Sequence, residues 1–518
     1  MRFASLAARV AFGLAAGVAL ELGAPAGAAA QSSAPSAPAS IVAPAFGGIA
    51  WTPERIAGLR RDLDALLANA PAIRGAHVGV LAVDTKTGLP LYERNATDAF
   101  QPASTLKLVV GSAALEKLGT AFHFTTRGYV AAASPAILLL GGGDPFLGTA
   151  DLAAFADAVA QLNLQNVALA VAAGRYDAQP HAPGWTWDDF AYDYAAPISA
   201  LTLNENVVHI EVAPGARTGD PARVTSAPIA AAVAGMSSSP LVPNAPAVLP
   251  AALTLAPGSE STLDVSHIGN DILVSGGIAA GAAPESLDAA VPDASAYVEE
   301  VASEQLRARH LAVGGPDDKF PFIGVLRGSS IPPPDVRLVW SHDSPPLAEF
   351  LGPRFWIPSD NLVAELLLKE LGYASGGAPG TSEKGAAFER TWLQSIGVDP
   401  ASTTLVDGSG LSQYDRITPR DLVAILQHDW NGPNRELVLA SLPVGGARGT
   451  IEGIAGTAAA GRVFAKTGSM MHVRGLAGYL ATEHHGAVTF VFTVDDWLGD
   501  YPALAALRAQ VLSRIVQD

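Results

Sequence analysis

The chain has 518 residues, of which 49% are apolar and 16% are charged, and its formal net charge is −17. A net-acidic chain without a basic block cannot release phosphate counterions over a broad surface, so nucleic acid is not an expected partner. The sequence contains no cysteine, which excludes disulfides, a thiol nucleophile and cysteine-ligated metal sites. We expect neither a metal nor a cofactor, and the length favours two or three domains.

The N-terminal segment predicts export from the cytoplasm. Residues 10–20 carry no charge, follow Arg2 and Arg9, and would span about 16 Å as a helix, roughly half of a bilayer core. Consecutive alanines then supply a small-residue cleavage pattern. We therefore interpret residues 1–30 as a secretory signal peptide and residues 31–50 as a flexible leader rich in Ser, Ala and Pro. The mature protein is expected to be periplasmic, with no transmembrane anchor after signal cleavage.

Helices and strands are predicted at both ends of the chain. A helix begins at Thr52-Pro53, and residues 77–84 and 90–93 form a hairpin. A second helix runs from near Ser104 to near Gly119. Further helical patterns cover 361–371, 386–396, 419–427 and 501–516, and two late strands cover 476–481 and 487–494.

The middle of the chain has a different character, because short strand-like runs alternate with glycine- and proline-rich breaks between residues 124 and 328. We predict that residues 51–125 and 335–518 pair into one discontinuous core. Residues 126–334 are then one or two inserted β-rich domains. The predicted fold class is α/β, arranged as an α+β sandwich. The strand-like runs in the middle are 136–140, 167–171, 207–212 and 272–274.

Three short motifs contain the side chains of chemical interest. Ser104-Thr105-Leu106-Lys107 falls at a predicted helix start, where residues i and i+3 lie about 5–6 Å apart at Cβ, so the lysine can reach the serine hydroxyl. Ser359-Asp360-Asn361 opens a later helix, and Lys466-Thr467-Gly468-Ser469 follows a strand-like run. Taken singly, each motif is explained by helix capping or by a strand running into a turn.

A fourth segment serves as an internal control. Lys86-Thr87-Gly88 repeats the tripeptide of residues 466–468, but it lies in the predicted hairpin turn and precedes Ser104. Lys-Thr-Gly is therefore not informative by itself. The order Ser-x-x-Lys, then Ser-x-Asn on a helix, then Lys-Thr-Gly at a strand end is the signature of serine acyl transferases.

With these motifs the chain resembles the class C low-molecular-mass penicillin-binding proteins, the D-alanyl-D-alanine carboxypeptidase/endopeptidase group. The likeness covers nearly everything from about residue 52 to the C-terminus, and it implies a penicillin-binding/β-lactamase-like transpeptidase core. The long interval between Ser104 and Ser359 also fits, because this group carries two extra domains there and class A β-lactamases do not. The similar segments are Pro102-Ala103-Ser104-Thr105-Leu106-Lys107, Gly142-Gly143-Asp144-Pro145, Pro183-Gly184-Trp185-Thr186-Trp187, Asp407-Gly408-Ser409-Gly410-Leu411-Ser412 and Gly461-Arg462-Val463.

The resemblance implies a role for residues of the first two motifs. Ser104 is the acylated nucleophile, and Lys107 is the general base, which it can be only when neutral. Lowering a lysine pKa from about 10.4 to near 7 costs roughly 4–5 kcal/mol. Burial and the neighbouring ammonium of Lys466 are the available causes. Ser359 relays a proton toward the leaving D-alanine, and Asn361 holds a substrate amide.

The third motif is implied to bind the substrate. Lys466 and Thr467 bind the terminal carboxylate that defines a carboxypeptidase substrate. The backbone N–H groups of Ser104 and Ser469 form the oxyanion hole, which is typically worth about 3–4 kcal/mol per donor. Gly468 is counted with the substrate-binding residues.

Two departures from the family pattern concern the third residue of the stem peptide. Relatives that bind the free end of meso-diaminopimelate have an aspartate in the stretch that here reads Val171-Ala172-Ala173-Gly174. Those relatives commonly have an arginine where this chain has Gln413, and Met471 stands where a polar residue is more usual. We hypothesise that the catalytic centre is intact and that side-chain recognition, with Gln413 and Met471 among the binding residues, has changed.

The leading hypothesis is a serine-type D-Ala-D-Ala carboxypeptidase, with DD-endopeptidase activity as a further option. Its expected partners are peptidoglycan stem peptides ending in D-Ala-D-Ala and β-lactam antibiotics. The alternatives are a β-lactamase or D-aminopeptidase relative on the same fold, and a catalytically idle cell-wall-binding protein. The long insertion argues against a β-lactamase, and the three intact motifs argue against an idle protein.

Overall fold

The computed structural model describes residues 48–229, 245–316, 321–322, 335–451 and 453–518. The predicted signal peptide, and the predicted leader up to residue 47, lie outside the described residues. Within the described ranges, no helix is long and apolar enough to cross a membrane.

The described chain contains both helices and strands, with a long run of strands between residues 207 and 290. In chain order the strands are β1 (His77–Asp84), β2 (Pro90–Arg94), β3 (Thr125–Ala131), β4 (Ala136–Leu140), β5 (Asn166–Ala172), β6 (Val207–Ala213), β7 (Arg223–Ala227), β8 (Val248–Pro250), β9 (Leu253–Leu255), β10 (Asp264–Ile268), β11 (Asp271–Ser275), β12 (Gly277–Ala279), β13 (Glu285–Ala290), β14 (Ala312–Gly314), β15 (Val336–Asp343), β16 (Val463–Met470), β17 (Val473–Ala481) and β18 (Ala487–Asp495). The α-helices are α1 (Pro53–Ala68), α2 (Lys107–Lys117), α3 (Thr149–Ala160), α4 (Ala294–Arg307), α5 (Leu347–Phe350), α6 (Asn361–Gly376), α7 (Ser382–Ser395), α8 (Pro419–Asn431), α9 (Arg435–Ser441) and α10 (Tyr501–Val516).

The central sheet joins the two ends of the chain. Its five antiparallel strands are ordered β16-β17-β18-β1-β2, and β1 pairs with β18 from His77↔Asp495 to Asp84↔Val488. Successive residues of a strand point to opposite faces, so Val80 and Ala82 pack with α1 and α10. Leu81 and Val83 pack instead into the core that contains α2, α6 and α8. Both faces of the sheet are therefore covered by helices, and the predicted α/β sandwich is correct.

A second five-stranded sheet, ordered β14-β5-β4-β3-β15, lies in the middle of the sequence. Helices α3 and α4 pack on it through Phe155 and Tyr297, which share a core with Ile137 and Leu169 of the sheet. The four predicted middle strands all exist, but the sequence analysis missed both helices. Helix α3 is alanine-rich, so little contrast separates its faces, although Leu152, Phe155 and Val159 follow helical spacing. Three smaller sheets are ordered β13-β6-β7, β10-β11-β8 and β12-β9.

The pairing of β15 with β3 bears on where the predicted insertion ends. β15 runs antiparallel to β3, from Val336↔Ala131 to Asp343↔Thr125. The division into a core and inserted domains remains a prediction. We propose that its second boundary lies after residue 343, because residues 336–343 complete the second sheet.

Candidate active site

Ser104 lies in a tight turn that precedes α2. Residues Ala103–Leu106 form a 3₁₀ turn, and the α-helix begins only at Lys107, so the predicted helix start at Ser104 is three residues early. Ala103 has a φ of 44°, in the left-handed region that residues with a Cβ seldom adopt. The turn is closed by Thr105, whose Oγ1 donates to the Pro102 carbonyl at 2.6 Å. The serine is thus held at the N-terminal side of a buried helix.

Two glycines allow neighbouring segments to approach this turn. A Cβ on Gly468 of β16 would come within 2.6 Å of the Pro102 carbonyl oxygen. A Cβ on Gly410, whose φ is +78°, would come within 1.9 Å of the Ala103 carbonyl oxygen. Neither contact is tolerable, because real Cβ atoms do not come closer than about 3 Å to backbone atoms. The glycines are therefore what lets β16 and the 407–412 loop pack against Ser104.

Lys107 is fully buried and donates three hydrogen bonds. Its Nζ lies 2.9 Å from Ser104 Oγ, 2.6 Å from Asn361 Oδ1 and 2.8 Å from the Ser409 carbonyl. Burial lowers the pKa of Lys107 to about 8, while the carboxylates of Asp407, Glu365 and Asp360 oppose that shift. The first two motifs therefore meet at one ammonium, and the amine form of Lys107 is accessible near neutral pH.

Lys466 is the second buried lysine of the site, and its side chain is completely inaccessible. Its Nζ donates to Ser359 Oγ at 2.8 Å and to the Thr467 carbonyl at 2.9 Å. Burial, and then the charge of Lys107, lower the pKa of Lys466 well below its usual value. Burial is thus the first cause of the lowered pKa of both lysines.

Ser359 precedes α6 in a left-handed conformation, with a φ of 67°. Asp360 is the N-cap of that helix, because its Oδ1 accepts from the Val363 N–H at 2.9 Å. Burial, with the charge of Glu205, raises the pKa of Asp360 to about 7. Asn361 bridges two parts of the chain, since its Nδ2 donates to the Tyr194 carbonyl at 2.7 Å.

The remaining predicted residues of the third motif lie on β16 and at the tip of the hairpin that follows it. β16 continues to Met470, so Lys466-Thr467-Gly468 lies inside a strand. The prediction that this tripeptide lies at the end of a strand is therefore wrong. Ser469 is exposed on this strand, and Met471, at the tip of the β16–β17 hairpin, is 81% exposed. Thr467 is buried, with its hydroxyl hydrogen-bonded to that of Thr450. β16 is an edge strand of the sheet, and the first part of its outer side, residues 463–465, is hydrogen-bonded to residues 443–445.

Gln413 lies on the exposed side of the loop that follows Asp407. Its N–H donates to the Gly184 carbonyl at 3.3 Å, and its carbonyl accepts from Gln101 Nε2 at 3.0 Å. Ala172, the other departure noted in the sequence, is 5% exposed at the end of β5. The neighbouring Arg175 is paired with Glu370 through two hydrogen bonds of 2.8 and 2.6 Å.

The loop at residues 407–412 contacts Lys107, a role that its sequence does not indicate. Asp407 organises this loop from inside, accepting from the Gly410 and Ser412 N–H groups at 2.7 Å each. Trp185 adds a third bond, from its Nε1 to Asp407 Oδ2 at 2.9 Å. The resemblance had singled out Asp407-Gly408-Ser409, but only the structure shows that the Ser409 carbonyl faces Lys107. In the described residues, no group of three or more His, Asp or Glu side chains could hold a metal ion.

The fold and these contacts define a serine acyl-transfer centre on a penicillin-binding/β-lactamase-like scaffold. The family model described as D-Ala-D-Ala carboxypeptidase 3 (S13) matches residues 59–513, so the chain belongs to that family. The chain is therefore a serine peptidase of the D-Ala-D-Ala carboxypeptidase type, and the resemblance to class C low-molecular-mass penicillin-binding proteins is confirmed.

Named relatives agree with this assignment. The chain is 34% identical over 449 residues to a D-alanyl-D-alanine carboxypeptidase of Actinomadura sp. (strain R39), covering 82% of this chain and 79% of the relative. It is 24% identical over 439 residues to D-alanyl-D-alanine carboxypeptidase DacB of Haemophilus influenzae, covering 80% and 85%. The crystal structure of penicillin-binding protein 4 from Haemophilus influenzae superposes with a TM-score of 0.73 at 21% identity, covering 88% of this chain and 99% of that one. The complex of that protein with a β-lactam superposes with a TM-score of 0.67.

Proposed function

We propose that this carboxypeptidase removes the terminal D-alanine from peptidoglycan stem peptides through an acyl-enzyme at Ser104, and that β-lactams acylate the same serine. The observation that carries the proposal is the geometry of Lys107, whose Nζ lies 2.9 Å from Ser104 Oγ while its pKa is lowered to about 8. A group with this pKa is neutral in roughly one molecule in ten at pH 7, which suffices for a general base.

Acylation then proceeds with Lys107 as the base. Neutral Lys107 takes the proton of Ser104 as Oγ attacks the carbonyl carbon of the penultimate D-alanine. The C–N bond breaks, and the proton that Lys107 took from Ser104 is relayed through Ser359, whose Oγ lies 2.8 Å from Lys466 Nζ, to the leaving amine of the terminal D-alanine. Lys107 is then neutral again. Water afterwards hydrolyses the ester and regenerates Ser104. A β-lactam would form the same ester but keep its leaving group tethered, which slows hydrolysis.

The oxyanion hole and the carboxylate site are assigned to the edge strand. The outer side of β16 is hydrogen-bonded to residues 443–445 along residues 463–465, so we assign its later part, residues 466–470, to the alignment of an extended substrate. We assign the backbone N–H groups of Ser104 and Ser469 to the oxyanion that develops during attack. Lys466 and Thr467 would bind the terminal carboxylate, and that negative charge would favour the ammonium form of Lys466.

Asn361 is assigned two roles, one toward Lys107 and one toward the substrate. Its Oδ1 accepts from Lys107 at 2.6 Å, and its Nδ2 already donates to the Tyr194 carbonyl at 2.7 Å. One proton of the Nδ2 group remains for a substrate carbonyl. Asn361 thus orients the base and also meets the substrate, as the resemblance implied.

Labelling with a fluorescent penicillin tests this function directly. The full-length protein should form an adduct at Ser104 that Ser104→Ala abolishes, and mass spectrometry should detect D-alanine released from a peptide ending in D-Ala-D-Ala. An adduct that persists in Ser104→Ala would contradict the assigned nucleophile. Rapid loss of the wild-type adduct would favour the alternative of a β-lactamase.

Recognition of the third stem residue is proposed to differ from that of diaminopimelate-binding relatives. Val171-Ala172-Ala173-Gly174 lacks an acid, and Gln413 replaces a base, so neither charged contact to the zwitterionic end is present. Turnover of a peptide with a free diaminopimelate end should therefore not greatly exceed that of an N-acylated one. A strong preference for the free zwitterionic end would contradict this.

Localisation is proposed from the N-terminal sequence. The uncharged stretch 10–20 behind Arg2 and Arg9 supports export, and the substrate of such an enzyme lies outside the cytoplasm. Cell fractionation of a tagged chain should find it in the periplasmic fraction.

A further inference from the structure

Glu365 is a buried carboxyl group one helical turn from Asn361. It lies on α6, where residues i and i+4 share one face, and its side chain is 0% exposed. Hydrogen bonds offset part of the cost of burying a carboxyl group. Its partners therefore indicate what it is for.

The partners are two consecutive backbone N–H groups of the 407–412 loop. Glu365 Oε1 accepts from Gly408 N at 3.0 Å and from Ser409 N at 2.8 Å. The other oxygen, Oε2, is buried and has no hydrogen-bond partner in the described structure. A single oxygen thus holds the peptide segment that ends in the Ser409 carbonyl.

That carbonyl is one of the three acceptors of Lys107 Nζ. The Ser409 N–H is bound to Glu365, and the Ser409 carbonyl accepts from Lys107 at 2.8 Å. The Ser409 residue therefore links the two side chains, with Glu365 on one end and the lysine on the other. On the far side of the loop, Gly410 packs against the Ala103 carbonyl, so the loop has little freedom to compensate for a lost contact.

We infer that Glu365 is a positioning residue for the general base: by holding the Gly408–Ser409 backbone, it places the Ser409 carbonyl so that Lys107 Nζ points at Ser104 Oγ. The inference rests on the proposed role of Lys107. Glu365 acts on the lysine through the Ser409 backbone, whose N–H it accepts and whose carbonyl accepts from Lys107. Burial raises the pKa of Glu365 to about 8, so a neutral side chain at this position is compatible with the folded protein.

Two conservative variants distinguish the effect of side-chain length at position 365 from the effect of its charge. Glu365→Gln keeps an oxygen at the same distance from the loop but removes the ionisable group. Glu365→Asp keeps the ionisable group but is one methylene shorter, so its oxygens fall about 1.5 Å back from the Gly408 and Ser409 N–H groups. If the role is positional, the glutamine variant should work and the aspartate variant should not.

The measurement is the rate constant for acylation of the full chain by a fluorescent penicillin. Glu365→Asp should be slowed roughly a hundredfold, the effect expected when a reacting group is misplaced by about 1 Å. Glu365→Gln should stay within about threefold of wild type, because its Oε1 can accept both N–H groups. Release of D-alanine from a peptide ending in D-Ala-D-Ala should follow the same order.

Glu389 provides a matched control. It is also a buried glutamate, 1% exposed, but neither of its oxygens has a hydrogen-bond partner in the described structure. Glu389→Asp should leave the acylation rate within about twofold of wild type, since it shortens a buried carboxyl that makes no hydrogen bond to the loop.

Three outcomes would overturn the inference: wild-type acylation by Glu365→Asp, a Glu365→Gln variant as slow as the aspartate variant, or a loss in Glu389→Asp equal to that in Glu365→Asp. Ser104→Ala distinguishes these from failure of the proposed function. If Ser104→Ala still forms an adduct, the assigned mechanism is wrong. If only Ser104→Ala is inactive and both Glu365 variants react normally, the mechanism stands and the positioning role is wrong.

Discussion

The tripeptide Lys-Thr-Gly occurs at residues 86–88 and again at 466–468, at opposite edges of the central sheet. The first copy lies in the turn between β1 and β2, where Lys86 is exposed and Thr87 donates its N–H to Asp84 Oδ1 at 2.7 Å. The second copy lies inside β16, where Lys466 is completely buried. Identical residues thus form a solvated turn in one place and the wall of an active site in the other. The difference is that β16 packs against the nucleophile turn and the β1–β2 turn does not.

Substitution of the two lysines should give the largest difference in carboxypeptidase turnover between the two copies. Lys466→Ala should lower carboxypeptidase turnover roughly a hundredfold or more, because it removes the charge assigned to the substrate carboxylate and the partner of Ser359. Lys86→Ala, measured by the same D-alanine release assay, should stay within about twofold of wild type. Equal effects of the two substitutions would contradict the assignment of Lys466.

Substitution of the two glycines should affect different properties: the rate of acylation at Gly468 and the free energy of unfolding at Gly88. A Cβ on Gly468 would come within 2.6 Å of the Pro102 carbonyl, so Gly468→Ala should displace the Ser104 turn and slow acylation roughly tenfold or more. Gly88 has a φ of +72° and only the Gln427 amide nearby, at 3.5 Å. Gly88→Ala should therefore cost about 1 kcal/mol of unfolding free energy and leave acylation unchanged.

Thermal unfolding measured beside penicillin acylation distinguishes these two outcomes. A Gly468→Ala variant that loses stability but acylates normally would show that β16 does not position the nucleophile.

The pH dependence should follow Lys107 and not the exposed lysine. The base acts when neutral, so acylation should rise with pH and level off above the lowered pKa of about 8. Below that value the rate should fall roughly tenfold for each pH unit. Lys86→Ala should have the same profile as wild type. A rate that does not change between about pH 6 and about pH 9 would contradict Lys107 as the base.

Much of the element order could be predicted from the sequence. The β1–β2 hairpin, helix α10 and the late strands β17 and β18 have strong hydrophobic periodicity, and the structure has them within a few residues of the prediction. Helices α3 and α4 were missed because their sequences lie between short strands and were interpreted with them. The start of α2 was misplaced because the 3₁₀ turn Ala103–Leu106 has the same composition as a first helical turn.

The sequence by itself determined the family and the order of the three motifs, and it predicted which side chains react. Only the tertiary structure decided how those side chains are held. Asn361 and the Ser409 carbonyl reach Lys107 across 254 and 302 residues of chain, and Tyr194 reaches Asn361 across 167. Such contacts leave no local pattern, because burial and hydrogen bonding depend on which segments meet in the folded core and not on spacing along the chain. For the same reason Glu365 resembles any other helical glutamate in the sequence, and its link to Lys107 is visible only once the loop is packed against it.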